Sequence, residues 1–196
     1  GTTKALRGVA FLGERMVVTG EAGTVLYADA PGDIRAGTLV DGATADWLEA
    51  VAASATLAVA VGDNGAIYTT ADGISWKRQS SGTNAWLSGV ASGPDGFVAV
   101  GEAGCILTSE NGTNWVRRGN TRTNDLHRVR YAGGAFTAVG DAGLVLVSSD
   151  GASWSRVTTG ATGALHDSAR EDTKRLIAGD TEVRLSLTGG LSWSDE

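Results

Sequence analysis

Apolar residues along this chain come in short runs of four to six, rich in Val, Ile, Leu, Phe and Tyr, and each run is closed by a glycine-containing turn. Runs of that length bounded by turn residues are strand signals, and no segment sustains the 3.6-residue spacing of a capped amphipathic helix. Between 87 and 118 the predicted strands are Leu87 to Ser92, Gly96 to Val100, Cys105 to Ser109 and Asn114 to Arg118. The turns fall at Gly93-Pro94-Asp95, Glu102-Ala103-Gly104 and Glu110-Asn111-Gly112. Asn-Gly and Asp-Gly at such joints mark tight hairpins, so the stretch reads as a four-stranded antiparallel meander.

The same pattern returns along the chain. Trp47-Leu48-Glu49-Ala50-Val51, Trp86-Leu87-Ser88-Gly89-Val90, Asp125-Leu126-His127-Arg128-Val129 and Ala164-Leu165-His166-Asp167-Ser168 follow one another at 39 residues, and Ala5-Leu6-Arg7-Gly8-Val9 precedes them by 42. A Gly-acid-x-Gly turn keeps the register at Gly20-Glu21-Ala22-Gly23, Gly62-Asp63-Asn64-Gly65, Gly101-Glu102-Ala103-Gly104 and Gly140-Asp141-Ala142-Gly143, with a degenerate copy at Gly179-Asp180-Thr181-Glu182. A period near 40 with four strands per unit is the signature of a β-propeller, whose radially packed sheets cover both of their apolar faces. The expectation is an all-β, single-domain, five-bladed β-propeller of four-stranded antiparallel blades, with approximate blades 5-46, 47-85, 86-124, 125-163 and 164-196. A closed ring fits better than a linear solenoid, because the first and last repeats keep apolar strands such as Met16-Val17-Val18 and Leu185-Ser186-Leu187 instead of polar caps. The likeness of Gly1 to Leu6 to the segment Gly82 to Leu87 further predicts that the termini meet, with the N-terminal residues added to the last blade's edge.

Composition narrows the function. The 196 residues are 42% apolar and include 29 glycines and six tryptophans, enough to build a core and to punctuate repeated turns. Sixteen basic against 22 acidic residues give a net charge of −6, and no basic cluster exceeds Arg117-Arg118, which argues against nucleic acid. The longest weakly polar run, Ala50 to Val61, is too short to span a bilayer, so no membrane insertion is expected. A lone cysteine, Cys105, excludes an internal disulfide and a multi-thiolate metal site. No cofactor and no metal are expected. The chain starts at Gly1 without a hydrophobic leader, as it would after loss of a targeting segment; extracellular, cell-surface or periplasmic settings are favoured, and an isolated domain of this kind is expected to be monomeric.

A third marker recurs at Asp72-Gly73-Ile74-Ser75-Trp76, Asn111-Gly112-Thr113-Asn114-Trp115, Asp150-Gly151-Ala152-Ser153-Trp154 and Gly189-Gly190-Leu191-Ser192-Trp193, while the first repeat has Pro31-Gly32-Asp33 instead. Ser148 to Trp154, with Thr70 to Trp76 and Ser109 to Trp115, resembles the Asp-box or bacterial-neuraminidase repeat. With the preceding Ala138 to Leu146, the unit is similar to the photosystem II stability/assembly-factor type of propeller and its bacterial relatives. The resemblance spans nearly the whole chain and implies a propeller; Asp-box propellers include glycosidases, lectin-like binders, receptor ectodomains and assembly scaffolds, so function must come from the site. Asp72, Gly73, Trp76, Asn111, Gly112, Trp115, Asp150, Gly151, Trp154 and Trp193 are read as structural: the acid or amide accepts backbone N–H bonds, Gly takes positive φ and Trp covers the outer layer.

Candidate ligand-binding residues are the acids that occupy one equivalent turn per repeat, Glu21, Asp63, Glu102, Asp141 and Asp180, with Trp47 and Trp86 as adjacent stacking platforms. Converging carboxylates would hold a cation or sugar hydroxyls; the competing reading is that each acid braces its own turn. His127 and His166 share the position of Arg7, Glu49 and Ser88, and Cys105 stands where Thr24, Ala66, Leu144 and Val183 stand, as a packing residue. No catalytic residue is assigned. A sialidase would need an arginine clamp and a placed tyrosine nucleophile, yet Tyr27, Tyr68 and Tyr131 lie at scattered repeat positions. The expected function is a non-catalytic interaction or scaffold module that binds another protein. The alternatives are a lectin-like glycan binder with sites between blades and, behind it, a glycoside hydrolase.

Overall fold

In a computed structural model, residues 2–118, 123–190 and 192–195 are described. The described residues are all-β apart from two single 3-10 turns, and they form five antiparallel sheets in sequence order. Sheet 1 holds β1 (Leu6–Leu12), β2 (Arg15–Gly20), β3 (Val25–Ala28) and β4 (Arg35–Ala36). The short β5 (Thr38–Leu39) leaves the first repeat and pairs in parallel with the outer strand of sheet 2, which comprises β6 (Leu48–Ala53), β7 (Ala58–Gly62), β8 (Ile67–Thr70) and β9 (Ser75–Gln79). Sheet 3 is β10 (Leu87–Gly93), β11 (Gly96–Gly101), β12 (Cys105–Ser109) and β13 (Val116–Arg117). Sheet 4 is β14 (Leu126–Ala132), β15 (Ala135–Gly140), β16 (Leu144–Ser148) and β17 (Ser155–Arg156). Sheet 5 is β18 (Leu165–Glu171), β19 (Lys174–Gly179), β20 (Val183–Ser186) and β21 (Ser194–Asp195).

Sheets pack face to face through their first two or three strands, which is why β7 is buried along its whole length and reads as a continuous apolar run rather than an alternating one. Four apolar clusters fill the four joints, among them Val59, Val61 and Ile67 against Leu87, Val90 and Phe97 between sheets 2 and 3. Inner strands follow one another in the order β1, β6, β10, β14, β18. No comparable packing joins β18 to β1 among the described residues, and no strand pairing adds the N-terminal segment to sheet 5. The closed five-bladed ring expected from the repeat count is therefore not seen: sheets 1 and 5 each present an uncovered face. Of the apolar end residues that argued for closure, Val17 is buried in the first joint and Leu187 stays 60% exposed; Phe11, on the uncovered face of sheet 1, is 66% exposed.

Two features of the Gly-acid-x-Gly turns explain their glycines differently. The second glycine, as at Gly143, sits at φ +64, and a Cβ there would lie 1.9 Å from the Ala161 carbonyl oxygen. The first glycine has extended backbone (Gly62 φ −169) and is required by close approach, since a Cβ on Gly62 would lie 1.7 Å from the Trp47 carbonyl oxygen. Between them Ala22, Ala103 and Ala142 adopt φ of 49 to 53°, a conformation that costs a non-glycine residue about 1–2 kcal/mol. In sheet 5 this turn is one residue shorter: Gly179 N–H bonds to the Glu182 carbonyl and Ala178 pairs with Val183, so Glu182 and not Val183 occupies the Cys105 position.

Candidate functional site

Every inner strand carries a bulge at one place, seen as register shifts at Leu6/Gly8, Leu48/Ala50, Leu87/Gly89, Leu126/Arg128 and Leu165/Asp167. The extra residue on the bulged strand is Arg7, Glu49, Ser88, His127 or His166, so its type differs between repeats. A β-bulge re-aims its side chain, and here it is re-aimed at the acidic turn of the same sheet in three cases. Arg7 Nη2 donates to Glu21 Oε1 at 3.2 Å, His127 Nε2 lies 2.8 Å from Asp141 Oδ1, and His166 Nε2 lies 2.5 Å from Asp180 Oδ1. The other two acids accept main-chain bonds: Trp47 N–H to Asp63 Oδ1 at 2.6 Å and Trp86 N–H to Glu102 Oε2 at 3.3 Å. All five predicted carboxylates thus tie the turn to the start of their own inner strand. The two histidine rings approach to 5.3 Å between centroids. Among the described residues no group of three or more His, Cys, Asp or Glu is placed to hold a metal ion.

The predicted stacking platforms are half exposed, Trp47 at 43% and Trp86 at 50%. Arg7 covers Trp47, its guanidinium carbon 5.0 Å from the ring centroid, a cation–π contact that occupies the face a sugar would need.

The Asp/Asn-Gly turns follow one design. Asp150 Oδ1 accepts from Ala152 and Ser153 N–H at 2.8 Å each, Ser148 Oγ accepts from Gly151 N–H at 2.8 Å, and Trp154 Nε1 donates to the Gly151 carbonyl at 2.8 Å. Those amide bonds, with that of the Ser148 hydroxyl, hold the Asp150 carboxyl down at about 2. Asp72 and Asn111 repeat the arrangement. In sheet 5 the hub is Thr188, whose Oγ1 accepts from Ser192 N–H at 3.0 Å, so Gly189 does not take the place of Asp72. Trp76 departs as well: it is fully buried and its Nε1 has no partner. Cys105 is buried and free, and burial pushes its thiol above the ordinary range.

A feature the repeats conceal lies on the inner side. A cavity of about 780 Å³ is lined by the later halves of β6, β10, β14 and β18 and by β19, with Val51, Val90, Val129 and Tyr131 among its apolar residues. Its charged residues are Arg130, Asp167, Arg170 and Arg175. Arg130 forms a two-pronged pair with Asp167, both bonds at 2.6 Å. Burial opposes ionisation of Asp167, but the bonds from Arg130 and from the Ser168 amide outweigh it and keep the carboxyl below its ordinary value. Arg170 and Arg175 face each other directly across β18 and β19, where sheet 4 has the tilted ring pair Tyr131 and Phe136. Neither has an ion-pair partner among the described residues; Arg175 Nε is buried without a hydrogen bond, and burial, then the neighbouring Arg170 charge, lower the Arg175 pKa. Like charges directly opposite on adjacent strands repel, so this end of the cavity is short of an anion. The sequence signal was arginine at two positions that Tyr131 and Phe136 fill in the preceding repeat, visible only once the strand register was known.

No family model matches the chain, and no curated protein matches it. Solved structures do. YCF48 bound to D1 peptide is similar at 17% identity over 99% of this chain and 81% of that one, with a TM-score of 0.58. YCF48 from Cyanidioschyzon merolae is similar at 19% identity over 98% of this chain and 72% of that one, with a TM-score of 0.71. The computationally designed Ika8 protein gives a TM-score of 0.79 at 14% identity, over 100% of this chain and 63% of that one. At these identities the likeness establishes the fold, that of a β-propeller similar to YCF48. No helix among the described residues is long and apolar enough to cross a membrane.

Proposed function

We propose that this chain is a non-catalytic interaction module of the Asp-box propeller kind, which receives an acidic peptide segment of a partner protein in the cavity bounded by β6, β10, β14 and β18. The observation that carries the reading is the Arg170–Arg175 pair, two guanidiniums placed cross-strand with no carboxylate of their own beside an apolar wall. Such a site offers planar donors to a carboxylate and apolar surface to the flanking side chains. A cavity of this size suits a few extended residues rather than a folded domain. Peptide binding by a protein of the same fold, YCF48 with D1 peptide, is in keeping with it. The acidic turns, which the sequence offers as candidate ligand-binding residues, are the weaker candidate, because their carboxylates already bond to their own inner strands.

The test is fluorescence anisotropy with a labelled Asp/Glu-rich decapeptide and a Lys-rich counterpart. Saturable binding of the acidic peptide is expected, weakened at least about tenfold by Arg170→Ala with Arg175→Ala, as befits loss of charge-assisted bonds to an anion, each worth roughly 1.5–3 kcal/mol. Equal binding by the double variant, or preference for the basic peptide, would overturn the cavity assignment. Hydrolysis of a reporter glycoside by the purified chain would overturn the non-catalytic one.

A further inference from the structure

Each internal joint is made from two kinds of sheet face, one toward the preceding sheet and one toward the next. In the joint of sheets 3 and 4, the forward face of sheet 3 offers the cross-strand pairs Ala91/Val98 and Val100/Ile106, and the rear face of sheet 4 offers Val129/Ala138 and Tyr131/Phe136. These eight residues form one apolar cluster. The two uncovered faces of the molecule are the two halves of such a joint. By the same strand register, the forward face of sheet 5 carries Ala169/Leu176 and Ala178/Val183, and the rear face of sheet 1 carries Val9/Val18 and Phe11/Met16. Apolar residues stand at every one of these positions.

Their exposure differs sharply from that of their counterparts. Val9 is 62% exposed where Val129, its equivalent in the buried joint, is 2%, and Leu176 is 38% exposed where Val98 is 2%. A cationic hairpin position is also repeated, and in sheet 5 it pairs within its own hairpin, Lys174 Nζ 3.9 Å from Glu171 Oε2. Arg15, which closes the β1–β2 hairpin opposite Leu12, donates to the Asp72 carbonyl across the first joint, and Lys174 holds the same register position opposite Glu171 in sheet 5.

From this we infer that the forward face of sheet 5 in one copy docks on the rear face of sheet 1 in a second copy, continuing the row of sheets head to tail. The contact is heterologous, so each added copy presents a fresh face and assembly grows with concentration unless the curvature closes it. The site is separate from the cavity, and the inference stands or falls independently of peptide binding.

Light scattering coupled to size exclusion tests it, on the chain as it is and on the variants Phe11→Glu and Leu176→Glu. The unaltered chain is expected to gain mass with concentration, and each variant to remain a monomer. Mixed together, the variants should form a one-to-one complex that stops at twice the monomer mass, because each retains the face the other has lost. A chain that stays monomeric throughout, a mixture that does not associate, or a Leu176→Glu variant that still self-associates would each overturn the inference, the last by showing that sheet 1 faces pair with themselves. Val9→Glu and Val183→Glu repeat the experiment at neighbouring positions, and a melting curve for each variant separates lost docking from lost folding.

Discussion

Replacing Trp76 by alanine should be the most damaging single change in the outer strands. Its side chain is the largest fully buried one, enclosed by the cluster of sheets 1 and 2 with Val17, Val25 and Tyr68, and its backbone carbonyl receives Val40 N–H next to the added strand β5. An aromatic side chain of this kind buries about 150–250 Å², which at about 25 cal/mol per Å² is roughly 4–6 kcal/mol. Large-to-alanine series place the loss at about 3–5 kcal/mol once partial relaxation is included. Trp76→Phe provides the control. It keeps most of the apolar volume and removes an indole N–H that has no partner, a group whose burial itself costs about 1–3 kcal/mol, so it should cost less than half as much as alanine. Urea unfolding followed by circular dichroism reads both values from the midpoint shift at constant slope. A Trp76→Ala change within about 0.5 kcal/mol of the unaltered chain, or Trp76→Phe as harmful as alanine, would refute the packing argument.

Trp115 and Trp154 are only partly covered and bond to their own turns, so Trp115→Ala should cost less than Trp76→Ala in the same assay. The Asp150 carboxyl, with a folded value near 2 below its unfolded one, contributes stability that is present above the ordinary carboxylate range and lost as pH falls through about 2; in a pH series of melting points, Asp150→Asn should flatten that part of the profile. Gly143→Ala forces a side chain to 1.9 Å from a backbone oxygen at positive φ, whereas Gly13→Ala meets nothing within 4 Å at a similar φ. Gly13→Ala should then cost about 1–2 kcal/mol and Gly143→Ala more than twice that by chemical unfolding. Titrating salt against acidic-peptide binding should weaken it, as expected for an anion held by Arg170 and Arg175; indifference to salt would count against them.

The strands and turns were legible in sequence because both obey local rules. Leu87, Gly96 and Cys105 begin β10, β11 and β12 as the apolar runs and turn residues indicate, while β13 is cut to Val116–Arg117 because outer strands pair on one side only. The bracing role of Glu21, Asp63 and Asp141 was half legible: their turn was evident, but not the bulge that brings Arg7 or His127 to meet them, since a bulge adds no residue type of its own. Ring closure was misread for a related reason. Val9 and Phe11 have the same character as the buried Val129 and the partly buried Tyr131, and a terminal sheet looks like an internal one until its neighbour is found missing. The arginine pair was illegible because Arg170 and Arg175 belong to none of the recurring markers and meet only through the β18–β19 register.

Amide hydrogen exchange with and without saturating acidic peptide tests the central claim most directly. Protection is predicted in the later half of β14 and in β18 and β19, around Arg130, Arg170 and Arg175, with the turns at Glu21, Asp63, Glu102, Asp141 and Asp180 unchanged. Protection confined to those acidic turns, with none at the cavity, would contradict it.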